Sequence, residues 1–104
     1  MRQDNMMEGV PGRVIEFQDM YQARSRVVIL RQLLNRPMTF PELRGLVNMS
    51  AAALREGIND LEAAGYVTDD APEHSKRKPS TAVFSVDREK LMTDLSETIR
   101  FLTI

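Results

Sequence analysis

The sequence predicts a mainly α-helical domain with a small β-hairpin, an α+β fold organised around a helix-turn-helix. Three observations predict it. Residues 39–67 (TFPELRGLVNMSAAALREGINDLEAAGYV) read as two capped helices joined by a tight turn. Apolar stripes at steps of three and four lie on either side of that stretch, as amphipathic helices require. A polar loop at residues 69–80 separates two short segments of strand character.

Residues 1–12 are polar, rich in methionine and closed by Pro11-Gly12, so a flexible N-terminal arm is expected ahead of one domain at 13–104. Helices are expected at about 13–23, 25–35, 40–47, 50–64 and 87–103, with the hairpin at 66–86. Val14, Phe17 and Tyr21 give the first stripe. Val28, Ile29, Leu33 and Leu34 give the second, with Arg24, Arg26, Arg31 and Arg36 on its flanks and Pro37 as its stop. Thr39 and Glu42 form a capping box with Pro41 just inside, and Leu43, Leu46 and Val47 supply an apolar face. Ser50 is a good N-cap for the next helix, which buries Ala51, Leu54, Ile58 and Leu61 on one side. Gly57 lies near that stripe, where close helix packing explains it. Gly65 stands where a left-handed cap is needed. Ala82, Phe84 and Val86 alternate to one face of a strand. Asp87 then caps a last helix with Leu91, Leu95, Ile99 and Leu102 in line, Phe101 and Ile104 lying off it.

Composition removes several function classes. With 42% apolar and 28% charged residues the chain is an ordinary globular domain, and 104 residues suffice for one modest core. The absence of cysteine excludes disulfides, thiolate metal sites and thiol redox switches. No apolar run is long enough for a membrane span, and no signal-peptide core opens the chain, so a cytoplasmic location without membrane association is expected. A lone His74 makes a metal site unexpected. No phosphate-cradling loop, zinc-protease helix or nucleophile elbow is found, and serines and carboxylates read as caps or surface residues, so neither an enzyme nor a cofactor is expected.

Ser50, Leu54, Ile58, Leu61, Glu62, Ala64, Gly65, Tyr66 and Val67 follow a pattern that resembles winged-helix regulators of the ArsR and MarR type. Residues 23–30 (ARSRVVIL) are similar to the first core helix of the ArsR type, and the basic turn with its following strand fits a wing. The resemblance covers residues 13–102. It implies a winged helix-turn-helix fold, with residues 38–40 adding a short first strand, and a DNA-binding transcription regulator, by preference a repressor. It also implies a homodimer through the first and last helices. Phe17, Tyr21, Leu91, Leu95, Ile99, Phe101 and Leu102 supply such a surface or else finish the monomer core.

On the helix at 50–64, stepping 100° per residue from the buried stripe places Ala52, Glu56, Asn59 and Ala63 outward, flanked by Ala53, Arg55 and Asp60. Arg55 suits guanine and Asn59 suits adenine in a major groove, whereas Glu56, Asp60 and Glu62 repel phosphate. Arg44, Asn48 and Ser50 cluster near the turn, where amide hydrogens can meet phosphates. Lys76, Arg77 and Lys78 concentrate charge at the hairpin tip of a chain whose net charge is only −1. The basic tip favours double-stranded DNA; the acidic, alanine-rich outward face favours a protein partner instead. DNA is the preferred reading. The arginines of the second helix either extend the basic surface or pair with Asp19 or Glu16.

Overall fold

The computed structural model describes residues 9–71 and 80–104. Among them run α1 (Gly12–Gln22), α2 (Arg24–Asn35), β1 (Met38–Thr39), α3 (Phe40–Leu46), α4 (Ala51–Ala63), β2 (Val67–Asp69), β3 (Val83–Val86) and α5 (Arg88–Thr103). The winged helix-turn-helix expected from the sequence is the architecture observed. Residues 1–8 of the expected arm lie outside the described residues, and α1 begins at Gly12, one residue inside that stretch.

Local chemistry sets each boundary. Ala23 is extended and separates α1 from α2. Arg36 is extended as well, because the ring of Pro37 clashes with a helical predecessor, and α2 stops there. The Thr39 side chain accepts from the Glu42 amide at 3.3 Å, while Glu42 accepts from the Thr39 amide at 2.9 Å. These bonds, the Thr39 backbone bond first, hold the Glu42 carboxyl below its ordinary pKa. Ser50 caps α4 by accepting from the Ala53 amide at 3.1 Å. At the other end Gly65 adopts φ +86°, the Gly65 amide donates to Glu62 and the Tyr66 amide to Leu61, closing a Schellman motif. Asp87 caps α5 through the Lys90 amide at 3.0 Å.

The three strands form one antiparallel sheet in the order β1-β3-β2, with Met38 opposite Phe84 and Val67 opposite Val86. β2 and β3 are the two arms of the expected wing. At its neck the Asp70 amide donates to the Val83 carbonyl and the Val83 amide to the Asp70 carboxylate at 2.7 Å. Beneath the sheet, α2 and α4 bury Ile29, Leu30, Leu33, Leu54, Ile58 and Leu61 together with Leu43, Tyr66, Val67 and Phe84. α1 packs along α5. An Arg88 guanidinium bond to the Leu34 carbonyl joins the start of α5 to the end of α2.

Four sequence expectations need correction. Leu46 is 55% exposed, because α3 ends there and only Leu43 and Val47 reach the core. In α2, Leu30 joins Ile29 and Leu33 in the core, whereas Leu34 is only half-buried; Val28 packs against the core as expected. Phe40 begins α3 and does not extend the first strand. Finally, Asp94 is neither a cap nor a surface residue: its side chain is 0% exposed.

Asp94 tolerates that burial because three donors surround it. Tyr66 Oη donates to Oδ2 at 2.6 Å, Lys90 Nζ to the same oxygen at 3.0 Å, and Arg13 Nη1 to Oδ1 at 3.0 Å. Lys90 also reaches Glu16 at 3.2 Å and lies over the Tyr66 ring. One carboxylate thus ties α1, α5 and Tyr66, two residues beyond the α4 C-cap. Burial alone raises the Asp94 pKa, but the bonds from Tyr66, Lys90 and Arg13 together outweigh it and hold the carboxyl below its ordinary value. The Tyr66 hydroxyl is pushed up, by burial first and by Asp94 second. The hydrogen bond to Asp94, above all, holds the Lys90 ammonium above its ordinary pKa.

A depressed carboxyl pKa contributes stability that is present above the unfolded value of about 4 and lost as pH falls through the folded value. Asp94→Asn should therefore be less stable than the native chain at pH 7 and show a shallower decline on acidification, read from urea unfolding across a pH series. Tyr66→Phe should cost about 1–3 kcal/mol at pH 7, since it leaves a buried carboxylate short of one donor.

Candidate nucleic-acid interface

The seat of α4 decides which of its side chains face outward. Gly57 makes the seat possible: a Cβ there meets Ile29 Cδ1 at 2.6 Å, closer than real contacts allow. With Leu54, Gly57, Ile58 and Leu61 buried, the exposed residues of α4 are Ala52, Ala53, Arg55, Glu56, Asn59, Asp60 and Ala63. This is the outward face expected from the stepping rule. Arg44, Asn48 and Ser50 are exposed around the turn that precedes it.

The hydrogen bonds sort the charges along α4. Asp60, near the C-terminal end, takes a bond from Arg26 Nη1 at 3.2 Å. The same guanidinium donates to the Asp19 and Met20 carbonyls. Arg26 therefore does not extend a basic surface, and its carboxylate partner is Asp60, not Asp19 or Glu16. The arrangement follows from the negative end of the helix dipole and the carbonyls that terminate α1. Arg36 pairs with Glu42 at 3.2 Å. Near the turn, Arg44 Nε donates to the Met49 carbonyl at 3.1 Å, which holds the arginine beside the α4 N-terminus. Arg55 lies over the Phe40 ring, its guanidinium carbon 4.8 Å from the ring centre.

The N-terminal half of α4 thus presents the helix dipole's positive end, small alanines and Arg55, with Glu56 as its acid and Arg44 of α3 beside it. The C-terminal half borders an open groove lined by Glu16, Asp19, Met20, Arg26, Asp60 and Leu61. That groove carries three carboxylates to one arginine, so it does not suit a polyanion. Lys76, Arg77, Lys78 and His74 lie outside the described residues. Among the described residues no cluster of three or more His, Asp or Glu side chains could hold a metal ion, and no helix is long and apolar enough to cross a membrane.

Of the expected dimer surface, Tyr21, Ile99, Phe101 and Leu102 are exposed, while Phe17, Leu91 and Leu95 are half-buried. Phe17 stacks on Tyr21 with ring centres 5.8 Å apart, and Phe17 and Leu91 also pack against the core. Sequence reasoning missed the Phe40–Arg55 stack and the Arg26–Asp60 pair. Both join residues on separate helices, and no local periodicity signals them.

In structure the chain is similar to an ArsR-like transcriptional regulator from Rhodococcus sp. RHA1, with a TM-score of 0.69 and 16% sequence identity over 86% of this chain and 78% of that one. It is similar to a second ArsR family transcriptional regulator at the same TM-score and identity, over 88% of each chain. No family model and no curated protein matches the sequence. The likeness, at that identity, is one of fold: the chain folds as a winged helix similar to these two proteins.

The close approach at Gly57 makes a double-mutant test of the α4 seat. Ile29→Val removes Cδ1 and should cost about 0.5–1.5 kcal/mol. Gly57→Ala should be more favourable in the Ile29→Val background than in the native chain, where the added methyl overpacks the core. Urea unfolding of the four proteins measures that coupling.

Proposed function

We propose that this protein is a DNA-binding transcriptional regulator, by preference a repressor, that docks α4 in the major groove and lays the hairpin tip along the backbone. The observation that carries the reading is the exposed N-terminal half of α4. Its dipole, its alanines and Arg55 face outward, Arg44 of α3 stands beside its first turn, and Arg26 neutralises Asp60 behind them. The two structural neighbours are transcriptional regulators by name, which supports the same conclusion. On this reading Arg44, Asn48 and Ser50 meet phosphates at the turn, and Ala52, Arg55 and Asn59 face base edges. Lys76, Arg77 and Lys78 bind further phosphates from the wing. Glu56 is the one outward acid of the N-terminal half and favours the rival reading, in which α4 binds a protein.

Binding dominated by phosphates is salt-dependent. Titration of a nonspecific duplex should show affinity falling steeply between low and moderate salt. Replacing Lys76, Arg77 and Lys78 with alanine should flatten the log–log slope by roughly 0.9 for each phosphate that is no longer neutralised. Absent or salt-insensitive binding at micromolar protein would favour the protein-partner reading.

We further propose a homodimer through α1 and α5. Tyr21 is 63% exposed and Leu102 75% exposed on these two packed helices, beside Ile99 and Phe101. Isologous pairing of such a surface buries it and sets two α4 helices about a two-fold axis, as palindromic half-sites require. Sedimentation at low micromolar concentration should give about twice the 11.9 kDa chain mass. Ile99→Asp with Leu102→Asp should return the protein to a monomer with its helical circular dichroism retained; a native monomer refutes the dimer.

A further inference from the structure

We infer that Phe40 is a positioning residue that holds Arg55 as the guanine reader of α4. The inference rests on the DNA-binding reading above and adds to it which base is read, and through which neighbour outside the helix.

The arginines about the helix-turn-helix differ in what their donors already do. Arg26 and Arg36 face carboxylates, and Arg44 gives its Nε–H to a carbonyl. Arg55 has no carboxylate or carbonyl partner among the described residues; its neighbour is the Phe40 ring at 4.8 Å. An aromatic contact of this kind uses the π face of the guanidinium and leaves the N–H donors at its edge free. The ring therefore restrains the plane of the fork without consuming it.

Phe40 is well suited to that task. It occupies the first position of α3, directly after the Thr39 capping box and before Pro41, so the backbone on both sides is constrained. Its side chain is half-buried against the core cluster. The ring is fixed to the body of the domain, and Arg55 is thereby oriented relative to the α4 axis before any ligand arrives. Its neighbours a turn away on the exposed face are Ala52 and Asn59. Ala52 is small enough to permit close approach to a base edge.

A restrained fork with free edge donors matches two adjacent acceptors. In the major groove guanine offers O6 and N7 side by side, whereas adenine and cytosine present an amino donor that repels the fork. Holding the side chain in advance also lowers the ordering cost of binding.

The test is selection from randomised duplexes with the full chain, followed by competition titrations of the enriched site against variants of each base pair. The native protein should prefer guanine at one position per half-site. Arg55→Ala and Arg55→Lys should reduce preference at that position alone by about 5- to 150-fold, the range for a bidentate base contact. Phe40→Leu and the size-matched Phe40→Met should each reduce it by about two- to fivefold, the range for an exposed cation–π contact. Phe40→Tyr should restore it. The salt slope, which a positioning role does not touch, should stay constant across the Phe40 series. A native protein that reads sequence without a guanine preference overturns the inference and leaves the DNA-binding reading intact. So does a preference indifferent to Arg55, or a uniform loss on all duplexes when Phe40 is changed. A native protein that binds no duplex at any salt overturns both.

Discussion

The outward display of the helix-turn-helix depends on one packing constraint, the burial of the Leu54–Ile58–Leu61 side of α4 in the core cluster that holds Ile29 and Leu33 of α2. A helix has a single circumference, so committing one side to the core determines which residues the other side shows. Gly57 leaves room for Ile29, whose Cδ1 a Cβ at that position would meet at 2.6 Å. The outward display of Ala52, Arg55, Glu56 and Asn59 is the complement of that packing. The Ser50 cap and the Schellman motif at Gly65 fix the ends of the helix, and so its rotation and its length are both specified.

A second constraint is polar. The outer layer of α1 and α5 is joined to the inner bundle through the buried Asp94 carboxylate, which takes bonds from Tyr66, Lys90 and Arg13. Burying a charge is costly unless donors satisfy it, and here both carboxylate oxygens have them. Tyr66 stands two residues beyond the α4 C-cap, and its carbonyl accepts from the Asp87 amide at the start of α5. Side chain and backbone of one residue therefore connect the end of the exposed helix to the last helix at two points.

Most of the fold was legible because its signals are local. The Thr39–Glu42 box, the Ser50 cap, the Gly65 cap and the Pro37 stop each need only a few consecutive residues, and all four appear where the sequence places them. Gly57 was legible as a packing glycine for the same reason, since it sits beside a helical stripe. What escaped was non-local. Asp94 lies between Leu91 and Leu95 in sequence, and nothing in that spacing announces that Tyr66 and Arg13, 28 and 81 positions away, converge on it. The candidate interface divides the same way. Its exposed residues followed from helical periodicity, whereas the neutralisation of Asp60 by Arg26 and the stacking of Arg55 on Phe40 depend on how separate helices meet.

Gly65 shows how two demands can fall on one atom that is not there. Its positive φ is a backbone requirement that asparagine also meets with tolerable strain. A Cβ at this position, however, comes within 3.2 Å of Lys90 Cε, so any side chain presses on the stem of the lysine that supports Asp94. A substitution judged only by its tolerance of the left-handed region would pass asparagine here, yet the stem of Lys90 must then give by a few tenths of an ångström, and that lysine is one of three donors to a buried carboxylate.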